Sequence, residues 1–288
     1  MTTVKRWALG GLLSVLLAAG LLWPAPGRAQ DAPPDTSTGL SPYWWEAVSR
    51  WEQIILTYAQ ERQLDPDLIA SVIWKESMGR ATSSGPVGAV GLMGLMPFPW
   101  RPSPEELENP WTNVAWGARA LANVIRDGRG DLYYSLAAYN GGWDQIHLRV
   151  TRRYAADVLD HYSRAVAVRY GLPADGHWLA AFALVGPATP KTFTVIGPHR
   201  PLARYTARPY GRADIPIVPP GLPPCAIAIT FVDDFGVERT VGVWLLAEDG
   251  TPLVPATGQS GTSHLLAAES SYSGPTRDVS LHVLEHIP

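Results

Sequence analysis

Glu76 occupies a position where a helix would be expected to carry an apolar residue. Asp65 and Pro66 are typical of the cap and the first position of a helix, so they predict that a helix starts there. At about 100° per residue, Glu76 lies near the centre of that helix's apolar face. The other residues of this face are Leu68, Ile69, Val72 and Ile73.

A carboxyl group on an apolar face has two usual fates. Because an ionised carboxylate is costly to remove from water, it either pairs with a cation or keeps its proton. A carboxyl group that is still protonated near neutral pH can act as a general acid. Lys75 is adjacent to Glu76 in sequence, but consecutive residues of a helix do not face each other. Periodicity alone therefore leaves two interpretations of Glu76, a structural ion pair and a catalytic acid.

A glycine-rich segment at 88–97 follows the predicted helix. Its sequence, Gly-Ala-Val-Gly-Leu-Met-Gly-Leu-Met-Pro, carries three glycines among flexible apolar side chains. Such a backbone can approach a ligand closely. Taken by itself, the same composition is also typical of a tightly packed junction between helices.

Three blocks of sequence occur in order along the chain: Glu76-Ser77, Gly-Leu-Met-Gly-Leu-Met-Pro at 91–97, and Ala-Tyr-Asn-Gly-Gly at 138–142. In this order and at this spacing they resemble the catalytic domain of the soluble lytic transglycosylases, which has a lysozyme-like fold. That family carries Glu-Ser, Gly-Leu-Met-Gln-Leu-Met-Pro and Ala-Tyr-Asn-Ala-Gly blocks. The resemblance covers residues 44–170, less than half of the chain.

Single positions outside the blocks support the resemblance or depart from it. Thr151 and Tyr154 look like the family's Thr-x-x-Tyr motif at the head of its last helix. Because Gly94 replaces the family's glutamine, it lacks a side chain that the resemblance assigns to substrate contact. We therefore expect Gly94→Gln to tighten glycan binding. The other departures are Gly79, where the family has an aromatic residue, and Val150, where it often has a glutamate.

The resemblance implies cleavage of the β-1,4 bond between N-acetylmuramic acid and N-acetylglucosamine in peptidoglycan, without water, leaving a 1,6-anhydro end. Glu76 is implied to protonate the glycosidic oxygen and then to take the proton from the sugar's own 6-hydroxyl. Ser77 and Tyr139 are implied to orient Glu76 and the sugar. The other residues implied to bind substrate are Leu92, Met93, Met96, Asn140 and Tyr154.

Two other functions remain open at this point. Ordinary glycosidases need a second carboxylate, either to activate water or to form a covalent intermediate. Glu105, Glu106 and Glu108 are the nearest further acids, and their polar, proline-rich surroundings predict a solvated loop. This favours a transglycosylase over a hydrolytic muramidase. The missing glutamine at Gly94 motivates the third interpretation, a catalytically weak glycan-binding or scaffold protein of an envelope assembly.

The pattern of elements around these residues predicts an α+β chain. An all-α, lysozyme-like catalytic domain is followed by a Pro-rich segment and a small β-rich module. The predicted parts are a signal peptide or N-terminal anchor at 1–29, a flexible linker at 30–41, the transglycosylase domain at 42–171, a Pro-rich connector at 172–224 and the β-rich module at 225–288.

The ends of the predicted helical domain rest on local signals. Ser41 and Pro42 are typical of a helix cap and first turn, and a last helix is expected at 151–170. Ten prolines between Val185 and Cys225 predict irregular chain. We therefore expect the helical domain to fold and act alone. Strands are predicted at 226–232, 237–246 and 278–287, with a turn at 249–250.

The N-terminal segment has the three-part pattern of a secretory signal. Lys5 and Arg6 precede an uncharged run, and small residues predict cleavage before Gln30. An uncleaved anchor is the alternative, since the run approaches the length that spans a bilayer, and it would tether the protein to the membrane. Both interpretations predict an exported protein that acts in the cell envelope or is secreted.

Composition limits the partners that can be expected. The chain has 23 basic and 26 acidic residues and no basic run, so nucleic acid is not an expected partner. Cys225 is the only cysteine, which excludes an intrachain disulfide. The His282-x-x-Glu285-His286 pattern lies in a predicted strand and does not indicate zinc, so no metal or cofactor is expected. The expected partner is the glycan strand of peptidoglycan, and the β-rich module is a candidate contact for an envelope protein.

Overall fold

The computed structural model describes residues 39–185, 192–197, 225–233, 235–247, 253 and 280–283. The helices within these ranges are α1 (Glu46–Ser49), α2 (Glu52–Arg62), α3 (Pro66–Ser77), α4 (Pro104–Leu107), α5 (Pro110–Asp127), α6 (Leu132–Gly141) and α7 (Arg149–Arg169), with a 3-10 turn at Trp143–Gln145. The strands are β1 (Leu179–Val185), β2 (Thr192–Ile196), β3 (Ile227–Val232), β4 (Glu238–Leu246) and β5 (Ser280–Val283). This order of helices followed by strands is the α+β architecture predicted from the sequence.

Helix α3 begins where its local signals predict. The Asp65 side chain accepts a hydrogen bond of 2.7 Å from the backbone N–H of Asp67, and Pro66 fills the first helical position. The helix ends before Met78, whose φ of 53° is left-handed and turns the chain away. Glu76 therefore lies in the last turn of α3, beside the start of the next segment.

The helical core is organised around α3 and α7, which pack against each other. Helix α6 packs against both α5 and α7, and α5 also packs against α2. Helix α5 shows how the sequence specifies this packing, because its buried residues recur at spacings of three and four. They are Asn113, Val114, Gly117, Ala118, Leu121 and Ile125.

Ser41 does not cap a helix, contrary to the prediction. Helix α1 begins at Glu46, and the residue before it makes no side-chain cap. The backbone N–H of Ser41 instead donates to the Asp67 carboxylate at 2.9 Å, and its hydroxyl donates to the carbonyl of Ala165 at 2.7 Å. The serine thus fastens the start of the described chain to α3 and α7, an arrangement that depends on partners far away in sequence.

The strands form one mixed sheet in the order β3-β4-β1-β2-β5. Strand β4 lies between β3 and β1 and is antiparallel to both, with Phe182 of β1 opposite Val243 of β4. Strand β5 pairs in parallel with β2. Two of the predicted strands, β3 and β4, are found within one residue of their expected limits. The predicted turn at 249–250 lies outside the described residues.

The predicted connector at 172–224 differs from the structure, because β1 and β2 lie inside it. Strand β1 precedes the first of the ten prolines, and β2 fits between Pro190 and Pro198. The high proline content of the whole region therefore predicted irregular chain, although two proline-free segments in it are long enough to form strands. Pairing with β4 then makes β1 an inner strand of the sheet.

The sheet shares its core with the helices. Phe182 of β1 and Val243 of β4 belong to the same buried cluster as Tyr162 of α7, and the rings of Tyr162 and Phe182 lie 6.0 Å apart. The hydroxyl of Tyr170 also donates to the carbonyl of Ala226. Ending the chain at residue 171 would expose this apolar surface, which disagrees with the expectation that 42–171 folds alone. No helix of the described ranges is long and apolar enough to cross a membrane.

Candidate active site

Glu76 is held by α7. Its Oε1 accepts a hydrogen bond of 2.6 Å from the hydroxyl of Tyr154, a buried residue in the first turns of that helix. Burial raises the pKa of Glu76 to about 7, although the Tyr154 hydrogen bond and the charge of Lys75 both lower it. The carboxyl group can therefore be protonated at neutral pH and can also lose its proton there, as a group acting first as an acid and then as a base requires.

Lys75 pairs with another residue. Its ammonium group forms an ion pair with the Asp157 carboxylate on α7, three residues after Tyr154. The structure thus agrees with the argument that adjacent helical residues do not meet. Because the cation is engaged by Asp157, Lys75 acts on Glu76 through its charge alone, and the hydrogen bond that Glu76 accepts comes from an uncharged phenol.

The glycine-rich segment forms a loop that closes over the end of α3. Asn113 of α5 supports it by accepting from the backbone N–H of Met93 at 2.8 Å and donating to the carbonyls of Val90 and Leu107 at 2.9 and 2.8 Å. Gly91 has a φ of 80°, and a Cβ there would lie 2.0 Å from Nδ2 of Asn113. The loop conformation therefore depends on a glycine at this position.

Gly94 lies directly against Glu76. It has a φ of 59°, and an added Cβ would lie 2.2 Å from Oε2 and 2.6 Å from Cδ of Glu76. The carboxyl group occupies the space into which a side chain at position 94 would extend. The expectation that Gly94→Gln would simply tighten glycan binding is therefore wrong for this conformation, since the first added atom collides with the candidate acid.

Two predicted residues hold the loop by hydrogen bonds. The Tyr139 hydroxyl donates to the carbonyl of Met93 at 2.9 Å. The Ser77 hydroxyl lies 2.9 Å from the carbonyl of Leu92 and accepts from the backbone N–H of Gly79 at 3.1 Å. Both side chains thus fix the backbone around Glu76, and Ser77 is buried away from any bound sugar.

The other predicted contact residues divide by exposure. Leu92 and Met93 are 0% exposed and belong to the helical core, so their predicted role in lining a cleft is wrong. Their apolar side chains anchor the loop in the helical core. Met96 is partly buried, and Asn140 is exposed near the end of α6, so both remain open to a ligand. Tyr154, predicted to bind substrate, instead contacts Glu76.

Other acids and possible metal ligands lie elsewhere. Glu105, Glu106 and Glu108 are exposed on or next to α4, a short helix where a solvated loop was predicted. Glu106 forms a reciprocal capping box with Ser103. Within the described ranges, no three His, Cys, Asp or Glu side chains are grouped as a metal site would require. Glu285 and His286 lie outside those ranges.

Three features of the site were not predicted from the sequence. The Glu76–Tyr154 hydrogen bond and the Lys75–Asp157 pair join residues 78 and 82 positions apart, so no local pattern could reveal them. The third is a group of exposed aromatic residues after the loop, at 98–100, which the sequence does display as Phe-Pro-Trp. A search for large apolar residues next to a candidate catalytic loop would have found it.

Comparison with known proteins finds similarity in the helical part of the chain. Residues 53–159 match the family described as the transglycosylase SLT domain. The chain is also 32% identical over 118 residues to a transglycosylase of Enterobacteria phage PRD1, an alignment that covers 40% of this chain and 42% of the phage protein. The chain thus spans less than half the length of that relative.

Solved structures with similarity to the chain include two lytic transglycosylases. One is an inactive Glu-to-Gln mutant of Slt from Pseudomonas aeruginosa, at 23% identity and a TM-score of 0.37, covering 42% of this chain and 24% of that one. The other is the 70 kDa soluble lytic transglycosylase of Escherichia coli, at 23% identity and a TM-score of 0.37, covering 42% and 25%. The match to the transglycosylase SLT domain is thus confined to residues 53–159, within the helical part of the chain.

Proposed function

We propose that this protein cleaves the β-1,4 bond between N-acetylmuramic acid and N-acetylglucosamine in peptidoglycan and leaves 1,6-anhydro ends. The observation that carries the proposal is Glu76, a partly buried carboxyl group with a pKa of about 7 that is oriented by one neutral hydrogen bond. The match of residues 53–159 to the transglycosylase SLT domain supports the choice of substrate.

In the first step, protonated Glu76 donates its proton to the glycosidic oxygen, and the bond to the anomeric carbon breaks. The carboxylate that results is stabilised by the Tyr154 hydroxyl, at 2.6 Å from Oε1, and by the nearby charge of Lys75. Burial raises the pKa of Tyr154 well above its ordinary value, so this residue stays a hydrogen-bond donor throughout.

In the second step, the carboxylate takes the proton from the sugar's 6-hydroxyl as that oxygen closes onto the anomeric carbon. Glu76 is thereby returned to its protonated state, and no water is consumed. One carboxyl group with a pKa near the working pH can serve both steps, whereas hydrolysis would use a second carboxylate. Tyr139 keeps the loop in place through Met93, and Met96 and Asn140 are available to contact the sugar.

The cellular context follows from the substrate. Peptidoglycan lies outside the cytoplasm, so we propose that the protein acts there and is exported by its N-terminal segment. If that segment is an uncleaved anchor, it also tethers the protein to the membrane. The sheet, which lies outside the matched residues 53–159, is the candidate contact for an envelope protein.

Glu76→Gln tests the proposal directly. The amide is nearly the same size as the carboxyl group but cannot deliver a proton, so we expect cleavage of purified peptidoglycan to fall at least a hundredfold. The products of the wild-type protein are read by mass spectrometry. Anhydro ends support the proposal, reducing ends would identify a hydrolytic muramidase, and no product at all would leave a glycan-binding protein.

A further inference from the structure

Three side chains form an ordered stack on the surface just after the candidate catalytic loop. The rings of Phe98 and Trp100 lie parallel, with centroids 4.9 Å apart and planes 16° apart, and the Arg101 guanidinium lies 5.2 Å from the Phe98 centroid. Trp100 is 69% exposed and Phe98 is 40% exposed. Single exposed apolar residues are common, but a stack of two rings and a guanidinium group is held in one orientation.

The stack is attached to the loop that holds Gly94. Arg101 Nη1 donates to the carbonyl of Met96 at 3.2 Å, and the backbone N–H of Phe98 donates to the same carbonyl at 3.1 Å. Burial raises the pKa of Tyr139, the Glu76 charge raises it further, and Arg101 lowers it. Met96 lies two residues after Gly94, which contacts Glu76, so the stack is attached to the loop beside Glu76.

The chemistry of the stack fits a neutral ring. An exposed indole has a flat apolar face with a polar edge, which matches the apolar face of a pyranose and its hydroxyl groups. The Arg101 guanidinium already contacts the Phe98 ring and donates to the Met96 carbonyl. Three exposed acidic residues lie on or beside α4, a few positions after Arg101 in sequence: Glu105, Glu106 and Glu108. Their negative charges disfavour an anionic ligand such as a peptide carboxylate.

We propose that Trp100, supported by Phe98 and Arg101, is a subsite that stacks on a sugar ring of the glycan strand next to the bond presented to Glu76. This inference rests on the proposed function, because it names part of the same substrate. It assigns the stack to the sugar chain and not to the peptide stems.

The test measures binding in the full chain carrying Glu76→Gln, so that nothing is cleaved during the measurement. Trp100→Ala is compared with Trp45→Ala, a tryptophan on the surface that is 73% exposed and precedes α1. The probes are purified peptidoglycan, followed by co-sedimentation, and chitohexaose, followed by calorimetry. We expect Trp100→Ala to weaken binding of both probes about three- to tenfold, Trp100→Phe to restore most of it and Trp45→Ala to have no effect.

Three outcomes would overturn the subsite. Equal binding by Trp100→Ala and the parent would show that the stack does not touch glycan. Weaker binding to peptidoglycan with unchanged binding to chitohexaose would assign it to the peptide stems. Loss of binding to phosphatidylglycerol vesicles, with glycan binding unchanged, would make it a membrane contact. If the protein binds both probes through Trp100 but the wild type never cleaves peptidoglycan, the proposed function fails while the subsite stands.

Discussion

Helix α3 carries a carboxyl group near each end, fully buried at Asp67 and partly buried at Glu76, and α7 faces both of them. Asp67 at the start is 0% exposed and accepts from the backbone N–H of Ser41, from Nε1 of Trp44 and from the Arg169 guanidinium. Glu76 at the end accepts from the Tyr154 hydroxyl. The two sites therefore share a helix pair and differ in what α7 presents to them.

The difference decides the chemistry of each carboxyl group. Burial lowers the pKa of Arg169, but the Asp65 and Asp67 charges more than offset this, so Arg169 is a permanent cation. The Asp67 carboxyl group is thus surrounded by a permanent cation and two N–H donors. At Glu76 a neutral phenol replaces the cation, and burial raises the pKa to about 7. Burial thus raises the pKa of Glu76, and its partner on α7 is a neutral hydrogen-bond donor where Asp67 has a cation.

The largest effect is expected from a substitution that breaks the structural site at Asp67. Asp67→Ala removes one partner of a buried ion pair, so Arg169 keeps only Asp65 and the Trp44 indole N–H loses its acceptor. We therefore expect a loss of about 3–5 kcal/mol in the free energy of unfolding. Urea denaturation measures it. The control is Glu61→Ala, which breaks the exposed pair with Arg62 and should change stability by less than about 1 kcal/mol. Similar small losses for both would mean that the buried cluster adds nothing.

The next effect concerns Glu76, where a substitution is expected to stabilise the protein. Since the pKa of Glu76 rises from its ordinary 4.5 to about 7 on folding, the native state binds more protons than the unfolded state between these values. Stability of the wild type should therefore fall as pH rises from 4.5 to 7. Glu76→Gln does not titrate, so it should become more stable than the wild type by on the order of 3 kcal/mol above pH 7 and not below pH 4.5. Parallel stability curves across this range would contradict the raised pKa.

A third effect tests the partner of Glu76. The Tyr154 hydrogen bond positions the Glu76 carboxyl group and lowers its pKa. Tyr154→Phe removes this bond, so we expect cleavage to fall about tenfold to a hundredfold. The alkaline decline of kcat/KM should move to higher pH, because the acid then keeps its proton longer. Tyr162→Phe is the matched control on α7, since its buried hydroxyl has no hydrogen-bond partner among the described residues. An unshifted pH profile in Tyr154→Phe would remove Tyr154 from the mechanism.

The comparison also shows which parts of the molecule the sequence could predict. The start of α3 and the position of Glu76 depend on residues within one or two turns, and both were predicted from Asp65, Pro66 and the apolar periodicity. The partners of Asp67 and Glu76 on α7 lie 102 and 78 residues away, and only the packing of α3 against α7 selects them. The same reason hid β1, whose place in the sheet depends on pairing with β4.

The smallest expected effect comes from the glycine beside the acid. An alanine Cβ at position 94 would lie 2.2 Å from Oε2 of Glu76, so Gly94→Ala must push the carboxyl group away from its present position and from Tyr154. We expect kcat on peptidoglycan to fall about tenfold, because a displacement of this size misplaces the acid. The backbone strain of alanine at positive φ is a separate cost, which Gly88→Ala isolates: Gly88 has a φ of 86° and no atom within 4 Å of its added Cβ. Gly88→Ala should lose stability but keep its kcat. If both variants lose kcat equally, the loop responds to strain and the contact with Glu76 is unimportant. If Gly94→Ala keeps full activity, the carboxyl group works equally well from a second position, and its contact with Tyr154 is not required for cleavage.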